Sequence, residues 1–504
     1  MRYVFTAEPV GSFVCDAVAD GVWLGELDQV GKGYLSDALR GPLVAELKRR
    51  GFEGKEGDVL AVSLLGQSKI KQLMVAGLGE RGKMRPDQFR TLSARILKHA
   101  NGIRAKQLCA HERLLKAIKD PAMTAQMWVE GVELAAYHFH LFRKHTASDE
   151  AKKRTVVEVV MPLNPDKSVQ KKVQMGADLG LLMAQATEMA RDMVNTPSMH
   201  MHPAEMAERA KALVGRGTGI TCRVLGRAEM EKLGMQASLA VGQGSQHEPK
   251  FVHLVYKPKG KAKRKIALVG KAITFDSGGL SLKPAEHMTD MKIDMAGAAS
   301  VLGVFKALPA LAPKVEVHGI FIAAENMPSG SAYRPGDVVS AMDGTTIEIE
   351  NTDAEGRVTL ADALAFAALK IKPDVIVDLA TLTGAVIVAL GSDVTGFFAT
   401  DKDLKRSLQQ ASQDAGEPMW ELPLYKPYSE LIKSKIADVR NVGGRAAGII
   451  TSALFLEKFV HGVPWAHLDI AGPSYAEKET RAEWPVGGTG WGVRTLLNYL
   501  GAVE

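Results

Sequence analysis

The sequence predicts an α/β protein in which a small N-terminal α/β domain precedes a larger C-terminal α/β domain. The larger domain is expected to hold a mostly parallel sheet covered by helices on both faces. Three observations carry this expectation. The chain has 504 residues, more than one ordinary core accommodates. Short, almost wholly apolar runs such as Ile266-Ala267-Leu268-Val269 read as strands buried on both faces. Helical stretches separate these runs, and strand–helix alternation builds parallel sheets.

Taken in order, Val59 to Leu65 and Gln72 to Gly79 read as strands, Pro86 to His99 as a helix, and Val156 to Met161 as a further strand. The turn Asn164-Pro165-Asp166-Lys167 leads into a long helical pattern, Val169 to Val194. Residues 1–165 are therefore expected to form the first domain, 166–194 a linker helix, and 195–504 the second domain. Asn195-Thr196-Pro197-Ser198 stops the long helix, and Pro203 opens another at its first turn. Strands are then expected at 266–269, Val315 to Ala323 and Val375 to Leu379, with helices at Ala296 to Leu308 and Leu360 to Leu369. The chain shows no internal repeat and no low-complexity segment.

Composition narrows the class. A hydrophobic fraction of 46% with 24% charged residues is that of a globular enzyme rather than a disordered or fibrous protein. The formal net charge of +6 is small for this length and does not demand a nucleic-acid partner. Cys15, Cys109 and Cys222 lie far apart and form no C-x-x-C pair. That spacing argues against a disulfide framework and a thiolate zinc site, and fits a reducing cytoplasm. The N-terminus reaches Glu8 and Asp16 before a signal-like apolar region develops. The most membrane-like segment, Val375 to Leu390, carries Asp378 and Gly384 and is short for a span. It reads as a buried strand, a turn and a second apolar element, and no transmembrane segment is expected.

The chemistry concentrates in Asn351-Thr352-Asp353-Ala354-Glu355-Gly356-Arg357. If the backbone is extended there, Asp353 and Glu355 point to the same side. Two carboxylates facing one way need a cation between them, and a divalent metal serves better than a single ion pair. Upstream, an apolar strand runs into Val269-Gly270-Lys271-Ala272-Ile273-Thr274-Phe275-Asp276-Ser277-Gly278-Gly279. Ligands of α/β sheets bind beyond the carboxyl ends of strands, where Lys271 and Asp276 are expected. Lys283 follows, and Asp294 precedes the small-residue helix from Met295, where an acid by itself reads as a cap. Four carboxylates among these residues carry the charge that two divalent cations would neutralise. A histidine-free, carboxylate-rich set suits Mn²⁺, Mg²⁺ or Zn²⁺, and a lysine ligates only as the neutral amine.

At these residues the chain resembles the leucyl aminopeptidases of peptidase family M17, the cytosol aminopeptidases. The N-T-D-A-E-G-R block stands intact at 351–357, and the V-G-K-G-[IV]-T-F-D-[ST]-G-G segment appears at 269–279 with Ala272 in place of glycine. Glu325 to Gly330, Arg334 to Val338, Ala380 to Ala385 and Trp465 to Gly472 also match. The resemblance covers nearly all of 180–504. It implies a metalloexopeptidase that releases N-terminal residues, leucine and other apolar ones preferred, from short peptides. It implies two divalent ions, Mn²⁺ or Zn²⁺. The tighter would take Lys271, Asp276, Asp294 and Glu355, and the looser Asp276, Asp353 and Glu355. Lys283 is then expected to stabilise the oxyanion, and Arg357 to hold a bicarbonate that shuttles the proton. Met291, Thr381, Leu382 and Gly384 are expected around the substrate's first side chain. The resemblance further implies a cytoplasmic D3 homohexamer. His200 and His202, beside another departure at Met199-His200, read as exposed loop residues.

Other templates are missing: the sequence has no H-E-x-x-H, G-x-S-x-G or G-x-x-x-x-G-K-[ST]. A two-metal phosphoesterase is the enzymatic rival, disfavoured by the lysine ligand and the 351–357 block. A reading of another class is DNA binding, since some bacterial members of the family also act as architectural or regulatory DNA-binding factors. The pI near 8.9 and the clusters Lys48-Arg49-Arg50, Lys152-Lys153-Arg154 and Lys259 to Lys265 are compatible with it.

Overall fold

The computed structural model describes residues 1–143, 155–163 and 165–503. Asn164 of the expected turn and the basic cluster Lys152-Lys153-Arg154 lie outside the described residues. The chain divides into two compact units. The first comprises Met1–Gln185 with Lys478–Pro485, and the second Ala186–Glu477 with Val486–Glu504.

The first unit is built on six strands, β1 (Arg2–Thr6), β2 (Cys15–Val22), β3 (Val59–Ser63), β4 (Ile70–Gly77), β5 (Gln107–Ala110) and β6 (Glu158–Pro162), in the order β1-β6-β5-β2-β4-β3. Every pairing is parallel except β3 with β4. Strand side chains alternate, so β2 feeds two cores. Ala17 and Ala19 pack with Phe89, Ile96, Trp128 and Val132 of the helices Pro86–Gly102 and Pro121–Ala136. Val18 and Val22 pack on the other face with Leu43 and Leu47 of the helix Asp37–Arg49. One expectation fails here. Cys15 and Cys109 are joined as a disulfide, with Cα atoms 6.9 Å apart, while Cys222 is free. Ninety-four residues separate the pair in sequence, which hides that β2 and β5 are neighbouring strands.

The second unit holds an eight-stranded sheet. Its strands are β7 (Ile220–Leu225), β8 (Lys250–Tyr256), β9 (Lys265–Asp276), β10 (Glu316–Asn326), β13 (Val375–Ala380), β14 (Thr395–Ala399), β15 (Met419–Glu421) and β17 (Trp465–Asp469). Between them in sequence come β11 (Val338–Ser340), β12 (Thr346–Glu348) and β16 (Val439–Arg440) of a small separate sheet, and after them β18 (Tyr475–Ala476) pairs with β19 (Gly487–Gly488). The large sheet runs β15-β14-β17-β13-β9-β10-β8-β7, and its centre, β17 to β10, is parallel throughout.

Helices cover both faces of this centre. Ala267, Val269 and Ile273 share a core with Val358 and Ala361 of the helix Glu355–Phe366. On the opposite face the helix Ala296–Leu311 comes so close that a Cβ on Gly270 would stand 2.5 Å from Ala298 Cα. Its run of small residues is what permits that approach. The helical stretch 285–311 has the length and apolar composition of a membrane span, yet 78% of its most apolar window is buried in the protein. The segment after β13 is the expected second apolar element, a helix Gly384–Leu390 that exposes Ile387 and Val388.

Candidate active site

The site is assembled at one end of the parallel centre, and the extra length of β9 makes it possible. β13 pairs with β9 only as far as Gly270, so β9 continues past the end of its neighbour. Lys271 therefore lies inside a strand, contrary to the expectation that it falls beyond one, but past the last residue that β13 pairs. Asp276 stands five positions after Lys271, an odd offset that strict alternation would send to the opposite face. A bulge in the β9–β10 pairing, where Ile273 is opposite Ala324 but Phe275 is opposite Glu325, absorbs one residue. Bulges re-aim side chains in this way. Asp276 thus turns toward the side of Lys271, where its charge and that of Glu355 both act on the ammonium.

Asp353 and Glu355 converge by a different route from the one the sequence suggested. The backbone is not extended. Residues 352–353 form a turn, Asp353 N donates to Asn351 Oδ1 at 2.8 Å, and Glu355 is the first residue of a helix. Asp276, Asp353 and Glu355 each bring a carboxylate oxygen within 4.8 Å of the other two, a spacing that could hold a metal ion. Lys283 Nζ is 2.9 Å from Asp276 Oδ2 and also meets Asp353 Oδ1. Gly278 and Gly279 have φ of +87° and +64°, and a Cβ on Gly278 would stand 2.9 Å from Asp353 Oδ1. Only glycine lets the backbone pass there.

Asp294 does not cap the following helix, whose N-cap is Met295. Instead Asp294 Oδ1 accepts from Lys271 Nζ at 2.7 Å and from Thr381 Oγ1 at 2.7 Å. Lys271 Nζ also donates to Thr381 O at 2.9 Å and lies 2.8 Å from Glu355 Oε1. Leu382 and Gly384 follow Thr381 in the same loop, half-buried and exposed respectively, and Met291 lies half-buried in the short turn Met291–Ile293 before Asp294. Arg357 is buried. Its Nη1 donates to Asn441 O at 2.8 Å, while Nε is buried without a hydrogen-bond partner among the described residues. His200 is exposed as expected, whereas His202 is half-buried and stacks on His247, with ring centroids 4.7 Å apart.

The family model for the catalytic domain of the cytosol aminopeptidase family matches residues 188–497, and the model for that family's N-terminal domain matches residues 21–146. The chain belongs to the cytosol aminopeptidase family. It is 41% identical over 494 residues to a probable cytosol aminopeptidase of Aquifex aeolicus, covering 96% of this chain and 95% of that protein. It is 40% identical over 511 residues to one from Alkaliphilus oremlandii, covering all of both. Among solved structures, the bottromycin maturation enzyme BotP in complex with Mn superposes with a TM-score of 0.84 at 36% identity, over 97% of this chain and all of that one. A lysine-to-glutamate mutant of tomato leucine aminopeptidase superposes with a TM-score of 0.83 at 33% identity, over 99% of this chain and 96% of that one. The protein is thus an aminopeptidase, a peptidase in the hydrolase class.

The electrostatics of the aminopeptidase site fit the metal dependence of such enzymes. Burial first, then the charge of Glu355, pushes Asp276 up to about 7. Burial likewise pushes Asp294 well above the carboxylate range, ahead of the opposing pull of Lys271. Burial alone would lower the two lysines, yet the surrounding carboxylates raise both. Two ammonium groups would leave four fully ionised carboxylates two charges short of neutrality, and the burial of Asp276 and Asp294 opposes their ionisation. Asp294 Oδ2 and Glu355 Oε2 are buried without a hydrogen-bond partner among the described residues. Orphaned buried carboxylate oxygens are donors of the kind a hard cation takes.

Several polar residues that shape the site were not singled out from sequence. Asn326 Nδ2 donates to Asp276 Oδ1 at 2.8 Å and to Thr352 O at 3.0 Å, tying β10 to both acidic segments. Tyr333 donates its hydroxyl to the same carbonyl at 2.8 Å. Asn441 accepts from Glu350 N and donates to Asn351 O. Asn326 stood inside a matched motif and could have been found there. Asn441 had no local signal.

Proposed function

We propose that this enzyme is a two-metal aminopeptidase that removes leucine and other apolar residues from the free amino end of short peptides. The observation that carries the reading is the pair of orphaned buried oxygens on Asp294 and Glu355, in a cluster where Asp276, Asp353 and Glu355 converge within 4.8 Å. Lys271, Asp276, Asp294 and Glu355 would hold the tighter ion, and Asp276, Asp353 and Glu355 the looser. When bound, the ions supply Lewis-acid chemistry and a water that is nucleophilic near neutral pH. The manganese in the BotP complex supports Mn²⁺, with Zn²⁺ as the other candidate.

The chain's own residues then divide the work. Lys283 keeps 15% of its side chain exposed, against 4% for Lys271, so its ammonium is the one a substrate carbonyl reaches. It would stabilise the oxyanion. Arg357, buried with an unspent Nε, would hold an anion such as bicarbonate that carries the proton. Burial lowers its guanidinium to about 10, partly offset by Glu355 and Asp469, so it stays cationic at neutral pH. Met291, Thr381, Leu382 and Gly384 would surround the first side chain. The family likeness extends the proposal to a cytoplasmic D3 homohexamer.

The test is an assay of chelated enzyme against aminoacyl amides and dipeptides with Mn²⁺, Zn²⁺, Co²⁺ or Mg²⁺ restored singly. Turnover that returns with metal, favours leucyl substrates and vanishes on N-acetylation is expected. Full activity after chelation, or cleavage of N-acetylated peptides, would overturn the reading.

A further inference from the structure

We propose that Asp469 is a positioning residue that sets the conformation of the loop 381–384 and, through it, selection of the substrate's first side chain. The inference rests on the reading of that loop as substrate-binding. Asp469 is the last residue of β17 and pairs with Ala380, the last residue of β13. The chain leaving β13 therefore passes directly over its carboxylate. Asp469 is fully buried, and Oδ1 accepts from Leu382 N at 3.1 Å, Thr383 N at 3.4 Å and Ala471 N at 3.3 Å. Oδ2 accepts from Thr383 Oγ1 at 2.6 Å. No lysine or arginine forms an ion pair with it among the described residues. The charges of His467 and Arg357 also act on the carboxylate, and the 2.6 Å bond from Thr383 Oγ1 has the length of a charge-assisted one. Most of those donors belong to one loop.

The effect passes further. Thr383 Oγ1 also accepts from Val386 N at 3.3 Å, which fixes the first turn of the helix Gly384–Leu390. On its other side the loop is held by Thr381, whose carbonyl takes Lys271 Nζ and whose hydroxyl reaches Asp294. The loop is thus clamped between the carboxylate–lysine cluster and Asp469. Release of the Asp469 side leaves the cluster intact and frees Leu382 and Gly384. That separates selection of the side chain from metal loading.

The experiment starts with the wild-type full chain on leucyl, alanyl and glycyl amides. No turnover of any of them would remove the aminopeptidase reading itself, independently of Asp469. With turnover established, Asp469→Asn is expected to keep the wild-type metal content and to raise KM for the leucyl amide about tenfold, with a much smaller change in kcat. The leucyl-over-glycyl ratio of kcat/KM should fall. Thr383→Val should shift the same quantities in the same direction, and Thr383→Ser, which keeps the hydroxyl, should restore them. If Asp469→Asn does not fold, the Thr383 pair decides. Loss of metal, or a uniform fall in kcat with the leucyl-over-glycyl ratio intact, would overturn the proposal, as would Thr383→Val indistinguishable from wild type.

Discussion

Lys283 Nζ stands 2.9 Å from Asp276 Oδ2, so the most accessible cation of the site leans on a carboxylate that the ions are proposed to share. The lysine belongs to the loop after β9 and is fixed by its own backbone, Lys283 N donating to Ser277 O at 2.9 Å. Its backbone is thus anchored by a bond separate from the ion pairs that its Nζ makes with Asp276 and Asp353. Lys283→Ala is expected to lower kcat by about 10²–10³, the effect of removing one oxyanion donor. Metal content should stay near normal. Parallel metal analysis and turnover measurements check this, and metal loss with preserved turnover in the loaded fraction would contradict the role.

Asp276 presents its two oxygens differently. Oδ1 is occupied by Gly278 N at 2.9 Å and Asn326 Nδ2 at 2.8 Å, which leaves Oδ2 directed toward Lys283. Asp276→Asn removes a charge from the cluster and, with Oδ1 still held by its two donors, turns an NH₂ group toward the ammonium. Both ions are expected to be lost, and turnover with them. Two bound equivalents in the purified variant would refute the bridging assignment.

Much of this arrangement was legible in sequence because it is written in short motifs on adjacent elements. The sequence groups Lys271, Asp276, Lys283, Asp294, Asp353, Glu355 and Arg357; the first six meet, and Arg357 lies buried within the field of Glu355 with its Nη1 on Asn441 O. The geometric reasons were not all legible. Alternation alone would separate Lys271 from Asp276, and the bulge that reunites them involves β10, which is some fifty residues away in sequence. The extended backbone assumed for Asp353 and Glu355 is a turn entering a helix, since Asn351 folds the chain back through its own side chain. Asn441, Asp469 and the Cys15–Cys109 pair act across long sequence separations, where no periodicity reports them.

The helix Ala296–Leu311 offers a test of close packing. A Cβ on Gly297 would stand 2.2 Å from Leu379 O and 2.9 Å from Lys271 N, both backbone atoms of the sheet. Neither can yield as a flexible side chain would. Gly297→Ala is expected to destabilise the protein by about 1–3 kcal/mol despite the better helix propensity of alanine. Denaturant unfolding under matched metal conditions measures it, and an unchanged or raised midpoint would show that the helix can shift away.

A buried acid outside the site predicts a pH dependence of stability. Asp362 lies fully buried in the helix Glu355–Phe366 and accepts from Ser238 N and Met342 N, each at 2.8 Å. Burial outweighs those donors and, with the charge of Asp343 adding to it, pushes the carboxyl up to about 7 from its ordinary 3.8. In the unfolded chain the group ionises near 3.8, while the folded chain keeps the proton to about 7. Between those values the folded state binds more protons, so this group's contribution to stability falls as pH rises and levels off above about 7. Asp362→Asn removes the titration while retaining an acceptor. The unfolding midpoint of the variant, relative to wild type, should therefore rise from about pH 4.5 to about pH 7.5, and every other titration common to the two proteins cancels in that difference. Parallel midpoint curves across the window would show that Asp362 is ionised in the fold, held by its two backbone donors rather than by a proton.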